Sequence, residues 1–160
     1  MSFYKYLITL FLFSTVALVA TSDILADGII HSLKSQLTSS EVLISYKLRG
    51  AMNEQTRASI DSGELTEFDY EVRLVEEHRF WFNRTVGNVR LSTSVKLDTL
   101  TKQYQLLRKI DYKVVETKTT ARIGDVEEWL TSIENLHIAE RSRLSNSKAY
   151  SLQVRAHLRS

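Results

Sequence analysis

Between Glu64 and Asp98 apolar and polar side chains trade places with a period of two. Thr66, Phe68, Tyr70, Val72 and Leu74 share one parity, and Glu67, Asp69, Glu71 and Arg73 the other. Further on, Val89, Leu91, Thr93, Val95 and Leu97 alternate with Arg90, Ser92, Ser94 and Lys96. Successive side chains of a strand point to opposite faces, so each arm is predicted to be a strand with one dry and one wet face. Together they are predicted to form a long antiparallel hairpin on which the other strands build. Arg79-Phe80-Trp81-Phe82, the densest aromatic cluster of the chain, falls between the arms.

The same period recurs on either side. Gly28 to Leu37 is predicted as a first strand with Ile29, Leu33 and Leu37 inward. Glu41 to Arg49 sets Val42, Ile44, Tyr46 and Leu48 against Leu43, Ser45, Lys47 and Arg49, and Gly50 ends it. Asn53 is a helix N-cap whose side chain accepts from free backbone N–H groups. Glu54 suits the positive end of the helix dipole, and Gly63 fits just past the helix end. A short surface helix over Asn53–Ser62 follows, its apolar content thin (Ala58, Ile60). Beyond a turn at Asp98–Lys102, Gln103 to Lys109 and Tyr112 to Thr117 read as two more strands, separated by Asp111. The period then changes. Val126, Trp129, Leu130, Ile133 and Leu136 recur at steps of three and four, one face of a helix over Asp125–Leu136. Asp125 is its expected N-cap, and Glu128 completes a capping box. Arg141 to Lys148 reads as a polar loop. Tyr150, Leu152, Val154, Ala156 and Leu158 then mark a last strand.

Strands do not alternate with helices, which argues against a parallel sheet. One-sided strands need a cover, from a second sheet or from the helix of Trp129. The prediction is a mainly β protein: an antiparallel β-sandwich-like domain of six or seven strands with two short helices, one of them packed on the sheet.

The N-terminus reads differently. Lys5 is the one charged side chain before Asp23, and Leu7 to Ala20 is an apolar run interrupted by Thr9, Ser14 and Thr15. Ala20, Ser22 and Ala26 offer small residues for cleavage. Residues 1–22 are therefore expected to be a signal peptide or, uncleaved, a membrane anchor through residues 3–20. The run is short against the roughly 20 residues of a membrane span. Residues 28–160 form a single β-rich domain, expected to be exported: periplasmic, or held at the inner membrane.

Composition sharpens this little. Hydrophobic residues make up 43% of the chain and charged residues 25%, ordinary values for a globular domain. A net charge of +2 gives no bulk attraction to nucleic acid or to an acidic membrane, and no nucleic-acid partner is expected. Without cysteine there are no disulfides and no thiolate metal sites.

Candidate chemistry is sparse. His31, His78, His137 and His157 lack the spacing of a zinc motif, and no metal or other cofactor is expected. Asp69 and Glu71 share a strand face, and paired acids serve glycoside hydrolysis, although solvated faces commonly carry such acids. No serine lies in a GxSxG context, and no glycine-rich loop cradles phosphate. The reading is therefore not an enzyme, with a hydrolase built on Asp69, Glu71 or His157 ranked last. The binding candidates are Arg79, Phe80, Trp81, Phe82 and Arg84. Aromatics with arginine concentrate energy at interfaces, although such clusters more often bury in the core or cap its open end. Arg84, Arg90, Lys96, Arg155 and Arg159 sit at outward positions, either as a basic stripe or paired across strands with acids such as Asp69 and Glu71.

Three segments also carry a family resemblance: Phe68-Asp69-Tyr70-Glu71-Val72, the stretch Phe80-Trp81-Phe82-Asn83-Arg84-Thr85-Val86, and Leu97-Asp98 followed by Leu100-Thr101 and Tyr104. With the Val126–Leu136 helix and the Tyr150–Arg159 strand, they resemble the uncharacterised bacterial proteins of the domain-of-unknown-function 4390 family, from about Glu41 onward. The resemblance implies a small exported or membrane-anchored protein and supplies no catalytic residues. Members of that family continue past the last strand into a proline-containing tail, whereas this sequence ends at Ser160. The expected function is a non-enzymatic envelope or periplasmic module that binds a partner protein or the membrane surface. The alternative is a carrier of an apolar ligand, such as a lipid, held between the sheet and the helix of Trp129.

Overall fold

The computed structural model describes residues 6–10, 19–20, 29–78 and 82–159. The strands are β1 (Tyr6–Leu10), β2 (Val19–Ala20), β3 (Ile29–Leu37), β4 (Glu41–Arg49), β5 (Thr66–Glu77), β6 (Arg84–Asp98), β7 (Gln103–Ile110), β8 (Lys113–Thr120), β9 (Ser132–Glu140) and β10 (Ala149–Arg159). The helices are α1 (Glu54–Asp61) and α2 (Ile123–Thr131), with a 3₁₀ turn at Arg141–Arg143. All strand pairs are antiparallel. One sheet runs β2-β1-β10-β5-β6-β7-β8, and a three-stranded sheet runs β3-β4-β9. The protein is thus mainly β and sandwich-like.

The alternation of the central hairpin becomes its two faces. Thr66, Phe68, Tyr70, Val72 and Leu74 of β5 are all buried, as are Val89, Leu91, Thr93 and Val95 of β6. The second sheet supplies the cover through Val42, Ile44, Tyr46 and Leu48 of β4. The Tyr46 and Tyr70 rings meet edge to face, 5.5 Å between centroids, one from each sheet. The sheets come closest where Gly87 of β6 meets β9: a Cβ at Gly87 would occupy the place of the Ile138 carbonyl.

Both helices bury one face on this core. Asn53 caps α1, accepting from the Thr56 N–H at 2.8 Å, and Gly63 leaves it with φ +84°. Ile60 is fully buried beneath it. Helix α2 buries Val126, Trp129 and Leu130. Two expectations there need correction. The helix begins at Ile123 with Arg122 as N-cap, so Asp125 lies inside the first turn. It also stops at Thr131: Ile133 and Leu136, assigned above to the helix, belong to β9. Asn135 sits in the left-handed region at φ 51°, and the pairing with β4 shifts register between Ile44 and Tyr46. This irregularity leaves Ser132–Ile133, Leu136 and Ile138–Ala139 as the buried positions of a strand, a spacing that imitates a helix.

Most of residues 1–22, read above as a signal or anchor, lies outside the described residues. The part described is Tyr6–Leu10, which pairs with β10 from Tyr150 to Val154, and Val19–Ala20.

Candidate functional site

Strand β5 ends at Glu77 and strand β6 begins at Arg84, and their paired ends form the hairpin end. Arg79, Phe80 and Trp81, three of the predicted binding residues, lie outside the described residues. Phe82 is 97% exposed. Asn83 steadies the loop, its side-chain oxygen accepting from the His78 N–H at 3.1 Å.

Arg84 has a defined partner. Its Nη2 and Nε donate to Oε2 of Glu76 at 2.9 and 3.3 Å. Nε2 of His78 lies 3.2 Å from Oε1 of the same carboxylate, and Nζ of Lys148 stands at 3.9 Å. The Glu76 side chain is only 7% exposed. A carboxylate so far removed from water needs charged or hydrogen-bonding partners. Arg84 and His78 are in direct contact, whereas Lys148 acts across a longer gap. Glu76 therefore ties the hairpin end to the loop that precedes β10. The 3₁₀ turn joins this end as well, Arg143 reaching the Val86 carbonyl at 3.5 Å.

Glu76, His78 and Lys148 were not singled out from the sequence. One signal was there. Phe68, Tyr70, Val72 and Leu74 put even numbers on the dry face of β5, and Glu76 continues that parity as a charged residue. The bulge between Leu74 and Val75 changes the local pattern, so that Val75 and Glu76 are both buried.

The acids of the outer face pair with cations. Oε1 of Glu71 accepts from Nε of Arg73 at 3.0 Å, and its Oε2 lies 3.5 Å from Arg155. Arg159 stands 3.3 Å from Asp69 and 3.6 Å from Glu67, and Lys109 stands 3.6 Å from Glu67. His157 is the cross-strand neighbour of Asp69. Arg84, Arg155 and Arg159 are thus members of cross-strand ion pairs, and Arg90 contacts the Tyr112 hydroxyl. Among the described residues no group of three His, Cys, Asp or Glu is placed to hold a metal ion, and no helix is long and apolar enough to cross a membrane.

At the junction of sheet and α2, Arg108 lies over the Trp129 ring, 4.2 Å from its centroid. The Tyr70 hydroxyl donates to the Leu130 carbonyl at 2.6 Å. Burial holds the Tyr46 and Tyr70 phenols well above their ordinary pKa.

These features define a two-sheet β domain with a charged hairpin end. The family described as Domain of unknown function (DUF4390) matches residues 26–160, and the chain belongs to it. No curated protein and no solved structure matches the chain.

Proposed function

We propose that this protein is an exported, non-enzymatic binding module of the cell envelope whose β5–β6 hairpin end docks on the anionic surface of a membrane. The exposure of Phe82 beside the Glu76 cluster carries the reading. An aromatic ring standing in water gains free energy when it enters an apolar or interfacial layer. Arg84 and Lys148 face the buried Glu76, Arg143 of the 3₁₀ turn reaches the Val86 carbonyl nearby, and Glu77 is the second acid of this strand end. Anionic lipids attract such a cluster by about 1 kcal/mol per Lys or Arg near the surface. The sequence Arg79-Phe80-Trp81 falls in the same loop, and the apolar run after Lys5 supports export. Ion pairing of Asp69 and Glu71 supports a structural over a catalytic use of those acids.

The chain lacks cysteine, so a single environment-sensitive fluorophore can be placed at will. The expected result is a blue shift for a label at Thr85→Cys, exposed beside Phe82, on addition of vesicles rich in anionic lipid, lost on adding Phe82→Ala. A label at Leu100→Cys is the control, because Leu100 is 92% exposed at the other end of β6, about 50 Å away at the usual rise per residue. Equal shifts at both positions, none at Thr85→Cys, or a shift that Phe82→Ala leaves unchanged, would overturn the reading. A shift with a protein fraction alone would replace the membrane by a protein partner.

A carrier of an apolar ligand is the second reading. Nε1 of Trp129 and Nε of Arg108 are buried without an acceptor near α2, and a lipid's carbonyl or carboxylate oxygen would supply one. Native mass spectrometry of protein from its host tests it: co-purified lipid supports it, and a bare chain counts against it.

A further inference from the structure

The larger sheet ends on a strand that stands in water on both faces. Every residue of β8 from Lys113 to Thr119 is exposed, and no strand among the described residues pairs with its outer edge. The other free edges are blunted. The same sheet ends opposite on the two residues of β2. In the small sheet β3 is bulged between His31 and Lys34, and β9 is broken by the left-handed Asn135. β8 has a register shift of its own at Val115, but beyond it Glu116 to Thr120 run in regular register with Arg108 to Tyr104. Val114, Val115, Thr117, Thr119 and Thr120 favour the extended chain. Such an edge offers a row of unpaired backbone N–H and C=O groups.

We propose that β8 pairs antiparallel with β8 of a second copy of this chain, about a twofold axis through Thr117. Charge selects both the partner and the register. Lys113 and Lys118 oppose an unrelated strand, because lysines on an edge commonly keep it unpaired. With Thr117 opposite Thr117, Glu116 of each copy faces Lys118 of the other. A twofold axis perpendicular to a sheet keeps every side chain on its own face, so a residue must sit opposite itself. Moving the axis by one residue sets Lys118 against Lys118 or Glu116 against Glu116, and like charges directly opposite destabilise a strand pair. The Thr117 register alone turns both charges into attractions. Glu116 also holds Arg108 within its own copy, at 3.0 Å. So short a ladder is small beside the roughly 1,200–2,000 Å² of a standard interface, and the dimer is weak and concentration-dependent.

The test is a disulfide trap in the full chain, which has no cysteine of its own. Residues directly opposite in an antiparallel pair have Cα atoms about 4.5–5.5 Å apart, within disulfide reach. Thr117→Cys is expected to yield a covalent dimer on mild oxidation, faster than Ser147→Cys in an exposed loop. Adding Lys118→Glu leaves the Arg108–Glu116 pair intact and replaces two attractions by two repulsions. Trapping should then slow about tenfold, from the cross-strand pair energies doubled by symmetry. Glu116→Lys together with Lys118→Glu should restore it. Trapping at Thr117→Cys no faster than at Ser147→Cys overturns the proposal, as does a rate that Lys118→Glu leaves unchanged.

Discussion

The guanidinium of Arg108, on β7, lies 4.2 Å from the centroid of the Trp129 ring, on α2. Its Nη1 donates to Glu116 of β8 at 3.0 Å and its Nη2 to the Trp129 carbonyl at 3.5 Å. One side chain thus fastens the helix to the last two strands of the sheet. Trp129 is 7% exposed, and truncation of a core tryptophan costs about 3–5 kcal/mol, a large part of the about 5–15 kcal/mol that holds a domain folded. Trp129→Ala is expected to lower the melting temperature sharply, and Phe82→Ala to leave it nearly unchanged. A double-mutant cycle with Arg108→Met should return a coupling of about 0.5–2 kcal/mol for the ring and the cation. A harmless Trp129→Ala would mean that α2 does not cover the sheet as described.

Two buried tyrosines in contact should answer differently to loss of the hydroxyl. Tyr70 donates to the Leu130 carbonyl at 2.6 Å, whereas the Tyr46 hydroxyl is buried with no partner. Removing one member of a buried hydrogen bond costs about 1–3 kcal/mol, because the other is left unsatisfied. Tyr70→Phe should lose stability in that range by urea denaturation. Tyr46→Phe should be neutral or stabilising. The reverse order would mean that the two hydroxyls have exchanged roles in solution.

Most of this architecture was legible because a half-buried strand writes its parity directly into the chain. Strands β4, β5, β6 and β10 have one wet and one dry face, and most of their buried positions are those of the apolar alternation, with Val75, Ser94 and Ser151 among the buried exceptions. Strand β9 escaped because Asn135 interrupts its period and the next apolar residues fall three apart. The helix reading then absorbed Ile133 and Leu136. The start of α2 was misplaced for a related reason: Asp125 is a good capping residue, but here its carboxylate is taken by Thr120 and Arg122. At the candidate site the aromatic loop was visible as composition. The Glu76 cluster was not, because Lys148 reaches it from a distant loop. The signal for Glu76 was a charge at a core parity, which stands out only against the rest of β5.

Gly87 should tolerate no side chain. Its Cα faces the Ile138 carbonyl across the corner between the sheets, and backbone cannot step aside as a flexible side chain can. Forcing extra volume into a packed site costs about 1–3 kcal/mol. Gly87→Ala is expected to fall in that range by chemical denaturation, whereas Gly124→Ala, which meets nothing within 4 Å, should be stable or slightly stabilised as a helix position. Equal effects of the two substitutions would remove the close approach of β6 and β9.

The acid limb of stability should trace to two carboxylates. The backbone N–H groups of Thr101 and Leu100 hold the Asp98 carboxyl below its ordinary pKa. A hydrogen bond from Thr120, with Arg122 beside it, does the same for Asp125. In both, the folded state binds the proton less readily than the unfolded state, so unfolding takes up protons and stability rises with pH across that interval. The contribution is complete above the ordinary aspartate pKa of about 3.9 and fades as pH falls through the lowered values. Asn at position 98 keeps the side-chain oxygen that accepts from Leu100 and Thr101 at 2.9 and 3.1 Å, but it does not titrate. The denaturation midpoint of Asp98→Asn should therefore fall less steeply than that of the wild type between about pH 5 and pH 2. Asp125→Asn, which gives up the ion pair with Arg122, should flatten the same limb while starting from a lower midpoint at neutral pH. Parallel acid limbs in all three proteins would place the proton uptake elsewhere.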